Sequence, residues 1–306
     1  MKQKLGQKTL NNKMYFFSII IITIVFWSFA FPVIQIALKE LSWINLTIIR
    51  LFLTCLLFLC FILIKPKKFT KLNKKDIPIL FILGATGIII YHLGLNYGEQ
   101  YISAGAASLI IATIPIYVVI LAAIFLKEKL NLKMVAGIIL TLIGVILIST
   151  LGKKDTSLEI QYMLGAITVL IAAFVGAIYT IIGKKMLKRY SALSLTAYVF
   201  LFGSLSLIPF IRISTFTEIS QMSIQGWIAV IFLAIFPTFI AYILWYVALE
   251  IKPASELSIY LYCIPILSTI ISYFLLNDSI TYIFFIGGLI VIIGLYIVNK
   301  SQKMLV

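Results

Sequence analysis

Residues 104–128 read AGAASLIIATIPIYVVILAAIFLKE, and residues 254–278 read ASELSIYLYCIPILSTIISYFLLND. A shift of about 150 residues lays one over the other. Pro115 falls on Pro265, Ala104 on Ala254 and Leu126 on Leu276, and the polar stop Lys127-Glu128 lands on Asn277-Asp278. Continued outward, the same shift puts Gly137 on Gly287 and Gly144 on Gly294. One proline and two glycines matched at a single offset point to an internal repeat.

What is repeated is a set of membrane helices. Of 306 residues, 62% are hydrophobic and 11% charged, and the mean hydropathy is +1.14. Soluble chains run at about 45–50% apolar and about 25% charged, so this composition excludes a soluble domain, a disordered chain and a secreted disulfide scaffold. Cys55, Cys60 and Cys263 lie inside apolar runs and read as small core residues. A crossing helix needs about 20 mostly apolar residues. That ruler predicts ten spans, at 15–38, 43–64, 77–98, 101–126, 130–151, 161–183, 191–211, 226–249, 254–276 and 279–298, numbered 1 to 10 below. The first is too long for a cleaved signal peptide, and no small-x-small site follows it.

Charge tests the count. Of 25 Lys+Arg, only Lys39, Lys153, Lys154 and Arg212 fall on loops of one side and Arg50 lies within a span; the remaining twenty fall on the side that carries both termini. By the positive-inside rule that side is cytoplasmic. The formal charge of +15 therefore sets orientation and does not imply nucleic acid. Each half (1–151 and 152–306) holds five spans, an odd number, so the second enters the membrane inverted. Inverted repeats mark secondary transporters, with the binding site near the midplane between the halves. The fold class expected is all-α integral membrane, ten helices as two inverted five-helix repeats.

The chain resembles the EamA-type permeases of the drug/metabolite transporter superfamily. The resemblance rests on Trp27-Ser28 and Pro32 in span 1, Arg50-Leu51-Phe52 in span 2, Tyr97-Gly98 through Ser103-Ala104 entering span 4, Pro115 with Phe125-Leu126-Lys127-Glu128-Lys129-Leu130, and Ile264-Pro265 with Asp278. It covers nearly the whole chain. Asn277-Asp278 departs from the family's usual Gly-Glu at that loop. The resemblance implies a substrate cavity between the halves that opens alternately to each side. The small four-helix relatives that expel cationic drugs rely on a first-span glutamate, and span 1 here has no Asp or Glu.

A charge in hydrocarbon costs about 2.5–3.5 kcal/mol on insertion scales, so intramembrane ionisable groups are candidate functional residues. Arg50 lies about seven residues, or about 10 Å, into span 2. It reads either as a carboxylate or phosphate anchor or as a structural arginine that satisfies backbone carbonyls at a broken helix or snorkels outward. His92 lies slightly beyond the midplane of span 3, either as a cavity donor or proton-sensitive group or as a neutral histidine bonded to a neighbouring helix. Tyr91 and Asn96 share its segment, and Tyr242, Trp245 and Tyr246 occupy the matching segment of span 8, with Tyr242 the repeat counterpart of His92. Trp27 and Ser28 of span 1 and Tyr260 of span 9 complete the substrate-binding candidates. Pro115 and Pro265 break their helices and are candidate hinges. Gly137, Gly144, Gly287 and Gly294 read as helix-packing contacts, and Glu256 as a carboxylate suited to the first turn of span 9.

These residues predict a cavity bounded by spans 1, 3, 4, 6, 8 and 9, lined by His92, Tyr242 and Trp245, with spans 5 and 10 packed away from it. No carboxylate is expected deep in a span, so a coupled proton would act through His92. There is no Walker loop, a lone histidine does not make the usual zinc site, and no acid stands beside it for a hydrolytic triad, so neither an enzyme, a metal nor a cofactor is expected. The reading is a multi-pass transporter of the inner or plasma membrane, both termini cytoplasmic, whose partners are lipid and a small metabolite. Amino acids or related zwitterions are the leading export substrate; a multidrug permease, or a membrane scaffold or enzyme, is the alternative.

Overall fold

The computed structural model describes residues 2–128, 131–151, 160–277 and 282–302. Lys129, Leu130, the loop lysines Lys153 and Lys154, Asp278 and Lys303 lie outside the described residues. The described chain is helical throughout.

Span 1 is one helix, Lys2–Ala37, with Pro32 inside it, and span 2 runs Trp43–Ile64. Span 3 is continuous but locally widened: Ile77–Gly84, a π-helical turn at Ala85–Ile90, then Tyr91–Glu99. Span 4 is broken into Ala104–Ile111 and Ile114–Phe125, and span 5 is Leu132–Leu151. The second half repeats this plan. Span 6 is Ile160–Met186 and span 7 is Ala192–Leu205. Span 8 is Ile224–Leu233, a π turn at Ala234–Ile240, then Ala241–Ile251. Span 9 is broken around a 3₁₀ segment, as Ala254–Ser258, Ile259–Tyr262 and Cys263–Leu276, and span 10 is Tyr282–Gln302.

The repeat is therefore legible in the irregularities. Two π turns, two broken helices and two left-handed residues, Lys127 and Asn277 at φ 57° each, recur about 150 positions apart. Pro115 and Pro265 sit just past the breaks, near the start of each second helical piece, where a proline loses no hydrogen bond that the new helix needs. Among the described residues, seven helices are long and apolar enough to cross a bilayer, and shorter apolar helices at Leu132–Gly144, Ala192–Leu205 and Phe285–Gly294 supply the remaining three passes.

Two predictions need correction. Span 7 stops at Leu205, not 211, and an unforeseen short helix, Ile213–Gln221, follows on the surface. Polar Ser204 and Ser206 with Pro209 leave too little apolar length to continue. Cys60 is exposed and Cys263 half-buried, so only Cys55 is a core cysteine.

Glycines bring the helices together. A Cβ on Gly144 would stand 2.7 Å from the Gly287 carbonyl oxygen, and one on Gly294 2.8 Å from that of Gly137, so spans 5 and 10 pack backbone to backbone. Gly98 brings span 3 equally close to Gly165 and Val169 of span 6. Large apolar side chains such as Leu63, Phe125, Ile228 and Phe285 remain exposed, as a lipid-facing surface requires.

Candidate functional site

A cavity lies between the halves, reached by Gly87 of the first π turn and by Tyr242, just past the second. Its lining is Trp27, Ala30 and Phe31 of span 1, Gly87, Tyr91, His92 and Leu95 of span 3, Ile111 and Ile114 of span 4, Gly176, Tyr179 and Thr180 of span 6, Tyr242 and Trp245 of span 8, Leu261 and Ile264 of span 9, and Arg50 of span 2. The space among them open to the centre of a water molecule is about 60 Å³. All six predicted spans contribute, no described residue of spans 5 and 10 does, and span 2 is an addition made by one arginine.

Arg50 is 3% exposed and bonds a threonine hydroxyl, not a backbone carbonyl. Its Nε donates to Thr238 Oγ1 at 2.7 Å, and Thr238 in turn donates to the Leu233 carbonyl at 2.6 Å. That carbonyl is the one that Pro237, which has no N–H, leaves without its α-helical partner. Thr54 reaches the next carbonyl, Ala234, at 3.1 Å. One edge of the guanidinium thus stitches span 2 to the π turn of span 8. The other edge is uncommitted, since Nη1 is buried without a hydrogen-bond partner. Tyr91, Tyr242 and Glu99 lie close enough to interact with its charge.

His92 is 1% exposed, and its Nδ1 lies 2.7 Å from the Ile88 carbonyl oxygen. A carbonyl only accepts, so Nδ1 carries the proton and Nε2 is a bare acceptor. Nε2 has no partner. The ring stacks on Tyr242 at 5.9 Å and meets Tyr91 edge-on at 5.2 Å. Trp27 closes the opposite wall, 5.6 Å from Tyr242 and 5.2 Å from Trp245, fixed by an Nε1 hydrogen bond of 2.9 Å to the Pro237 carbonyl.

The remaining candidates do not reach the cavity. Ser28 donates to Ile24 of its own helix at 2.7 Å, the usual fate of a serine in an apolar helix. Asn96 donates to Thr47 at 2.9 Å, joining spans 3 and 2. Tyr246 is fully buried beneath the cavity, stacked on Tyr179 at 5.1 Å. Tyr260 turns toward the terminal face and packs against Phe16 and Phe17 of span 1. Glu256 pairs with Lys252 at 2.8 Å.

Tyr179, Thr180 and Thr238 were missed because span 6 looked apolar and Pro237 went unread; Gly176 and Gly183, seven apart on one face, were the available signal. The larger omission is Glu99. Span 3 ends one residue later than expected, at Glu99, and this carboxylate, at the end of the helix rather than deep in the span, is 3% exposed. Among the described residues, neither of its carboxylate oxygens has a hydrogen-bond partner.

The sequence pattern of the EamA-like transporter family matches residues 14–150 and again 163–300. A protein of Archaeoglobus fulgidus named "Uncharacterized transporter" is 35% identical over 284 residues, covering 93% of this chain and 98% of its own. A Bacillus subtilis protein, "Uncharacterized transporter YdfC", is 30% identical over 92% of this chain and 90% of its own. A protein of Streptantibioticus cattleyicolor named "Probable terminal-alkyne amino-acid exporter" is 27% identical over 92% of each. A crystal structure with 17% sequence identity superposes with a TM-score of 0.70, covering 94% of this chain and 97% of the other, and shares the fold.

Proposed function

The chain belongs to the EamA-like transporter family, and within that transport function we propose that it exports amino acids or related zwitterions by alternating access, from a plasma membrane with both termini in the cytoplasm. The observation that carries this reading is the pair of uncommitted polar atoms on one cavity wall system: Arg50 Nη1, a charged donor, and His92 Nε2, a fixed acceptor. A carboxylate suits the first, because a guanidinium edge offers directed N–H donors. An ammonium suits the second, and Trp27, Tyr242 and Trp245 supply ring faces for a cation or an apolar side chain. The relative named as an amino-acid exporter supports the same class, and the basic bias of the terminal side supports the orientation.

Pro115 and Pro265, with their breaks, are the flexing points in this reading. The test is transport by the purified full chain in proteoliposomes loaded with radiolabelled amino acids. Exchange of zwitterionic amino acids, reduced in Arg50→Met, is the expected result. Movement of lipophilic cations with no amino-acid exchange overturns the substrate class, and labelling of an introduced Asn277→Cys only from the terminal side overturns the orientation.

A further inference from the structure

Glu99 stands in the last turn of span 3, on the helix face it shares with Asn96 and His92 at spacings of three and seven residues. Seven residues are about 10 Å of helix. Beside Glu99, on the face away from the termini, is an opening lined by Gln35, Lys39, Gln100, Tyr101 and Ser103 together with Glu99 itself. The carboxylate therefore lies between an opening to one side of the membrane and a cavity whose ionisable lining includes Arg50, Tyr91 and His92.

It is not a packing residue. Its counterpart 150 positions on is Leu249, fully buried, so this site in the fold accepts an aliphatic side chain. Nor is it a structural ion pair. The charged or titratable groups that face it are Arg50 from span 2, Tyr91 from its own helix, and Lys39 and Tyr101 at the opening, and none bonds it. Span 6 presents Gly165, Thr168 and Val169 at this level, span 4 begins with Ser103 and Ala104, and Glu40 nearby in sequence is engaged by Ser223. An ionised carboxylate shut away from water without donors is strongly disfavoured, and the group neutralises by taking a proton.

We propose that Glu99 is the proton-carrying carboxyl of this transporter. It is ionised while the opening on the face away from the termini admits water, and neutral once that opening closes over it. One O–H bond forms on the carboxylate as a hydronium ion loses one and becomes water. Each closure then carries one proton inward, and when the cavity opens to the terminal side the proton leaves toward it, past His92. The direction rests on the orientation proposed above; the proton site does not.

The proton site is tested without any substrate, on the full chain in liposomes, by infrared difference spectroscopy between mildly alkaline and mildly acidic baths. A protonated-carboxyl band is expected in the native chain, absent in Glu99→Gln and present but shifted in Glu99→Asp. A band of equal intensity in Glu99→Gln, or no such band in the native chain, overturns the proposal. A second arm follows radiolabelled leucine across the same liposomes under a pH gradient. Acceleration by the gradient in the native chain, lost in Glu99→Gln and regained in Glu99→Asp, is expected, whereas an identical gradient response in Glu99→Gln overturns the proton assignment. If leucine and other amino acids fail to move while the band still depends on Glu99, the substrate reading falls and the proton site stands.

Discussion

Thr47, Arg50, His92, Asn96 and Glu99 line up in the first half; 150 positions on stand Ala197, Phe200, Tyr242, Tyr246 and Leu249. The backbone around both sets is the same: a π turn, a straight helical stretch and a glycine- or alanine-lined approach by the facing span. The chemistry is opposite. One half carries a buried polar file, the other an aromatic stack in which Phe200, Tyr242, Tyr179 and Tyr246 follow one another at 5.1 to 5.8 Å. The difference teaches that the repeat conserves what packing needs and not what binding needs. A second buried arginine would cost about 2.5–3.5 kcal/mol again, and one cavity has use for one.

The largest effect should come from breaking the asymmetry at its centre. Arg50→Met removes a buried charged donor and is expected to weaken amino-acid affinity in a binding assay by about 2–5 kcal/mol. The counterpart change, Phe200→Met, conserves volume away from the cavity and should leave affinity within a fewfold. Equal effects from the two would mean that Arg50 serves only the stitch to Thr238.

Where the halves are alike, substitutions should hurt alike. Gly144→Val and Gly294→Val both drive side chains into a facing backbone and should each destabilise by about 1–3 kcal/mol, read as a lower melting temperature in detergent. Gly288→Ala, with nothing within 4 Å of its added carbon, should be neutral or slightly stabilising. A large loss there would show that span 10 packs differently from span 5.

Cavity aromatics come next. Trp245→Leu keeps an apolar wall but removes a ring face, and a cation held over that face loses about 0.5–2 kcal/mol. Unchanged affinity would place the ammonium elsewhere.

The smallest effects concern two loop ties that the repeat relates. Glu40 accepts from Ser223 N and Oγ at 2.7 and 2.6 Å on one face, and the Tyr190 hydroxyl accepts from Asn73 N at 3.1 Å at the matching place on the other. The Ser223 hydroxyl and backbone N–H hold the Glu40 carboxyl below its usual range. Its contribution is present above the ordinary glutamate pKa and fades as pH falls through the lowered one. Burial, opposed by the Asn73 N–H, pushes the Tyr190 phenol upward. Its contribution is present below the ordinary tyrosine pKa and fades as pH rises through the raised one. Glu40→Gln should therefore lower the melting temperature at neutral pH and converge with the native chain in acid, while Tyr190→Phe should converge only in alkali. The reverse pattern would sink the assignment.

Composition, span length and charge bias determined that this chain crosses a membrane ten times in two inverted halves, because hydrocarbon imposes its rules on each helix separately. The offset of 150 residues likewise placed the prolines, the packing glycines and the depth of His92 and Tyr242. Tertiary structure alone decided which polar residues are used. Asn96 is consumed by Thr47 and half of Arg50 by Thr238, and no linear spacing reveals those partners; Ser28, bonded to Ile24 four residues back, is the local exception. Glu99 looked like a loop residue because hydropathy ends at Gly98. Only the fold, which sets Gln35 and Lys39 of the first span's end beside it from about sixty residues away in the chain, leaves the carboxylate buried and without a partner among the described residues.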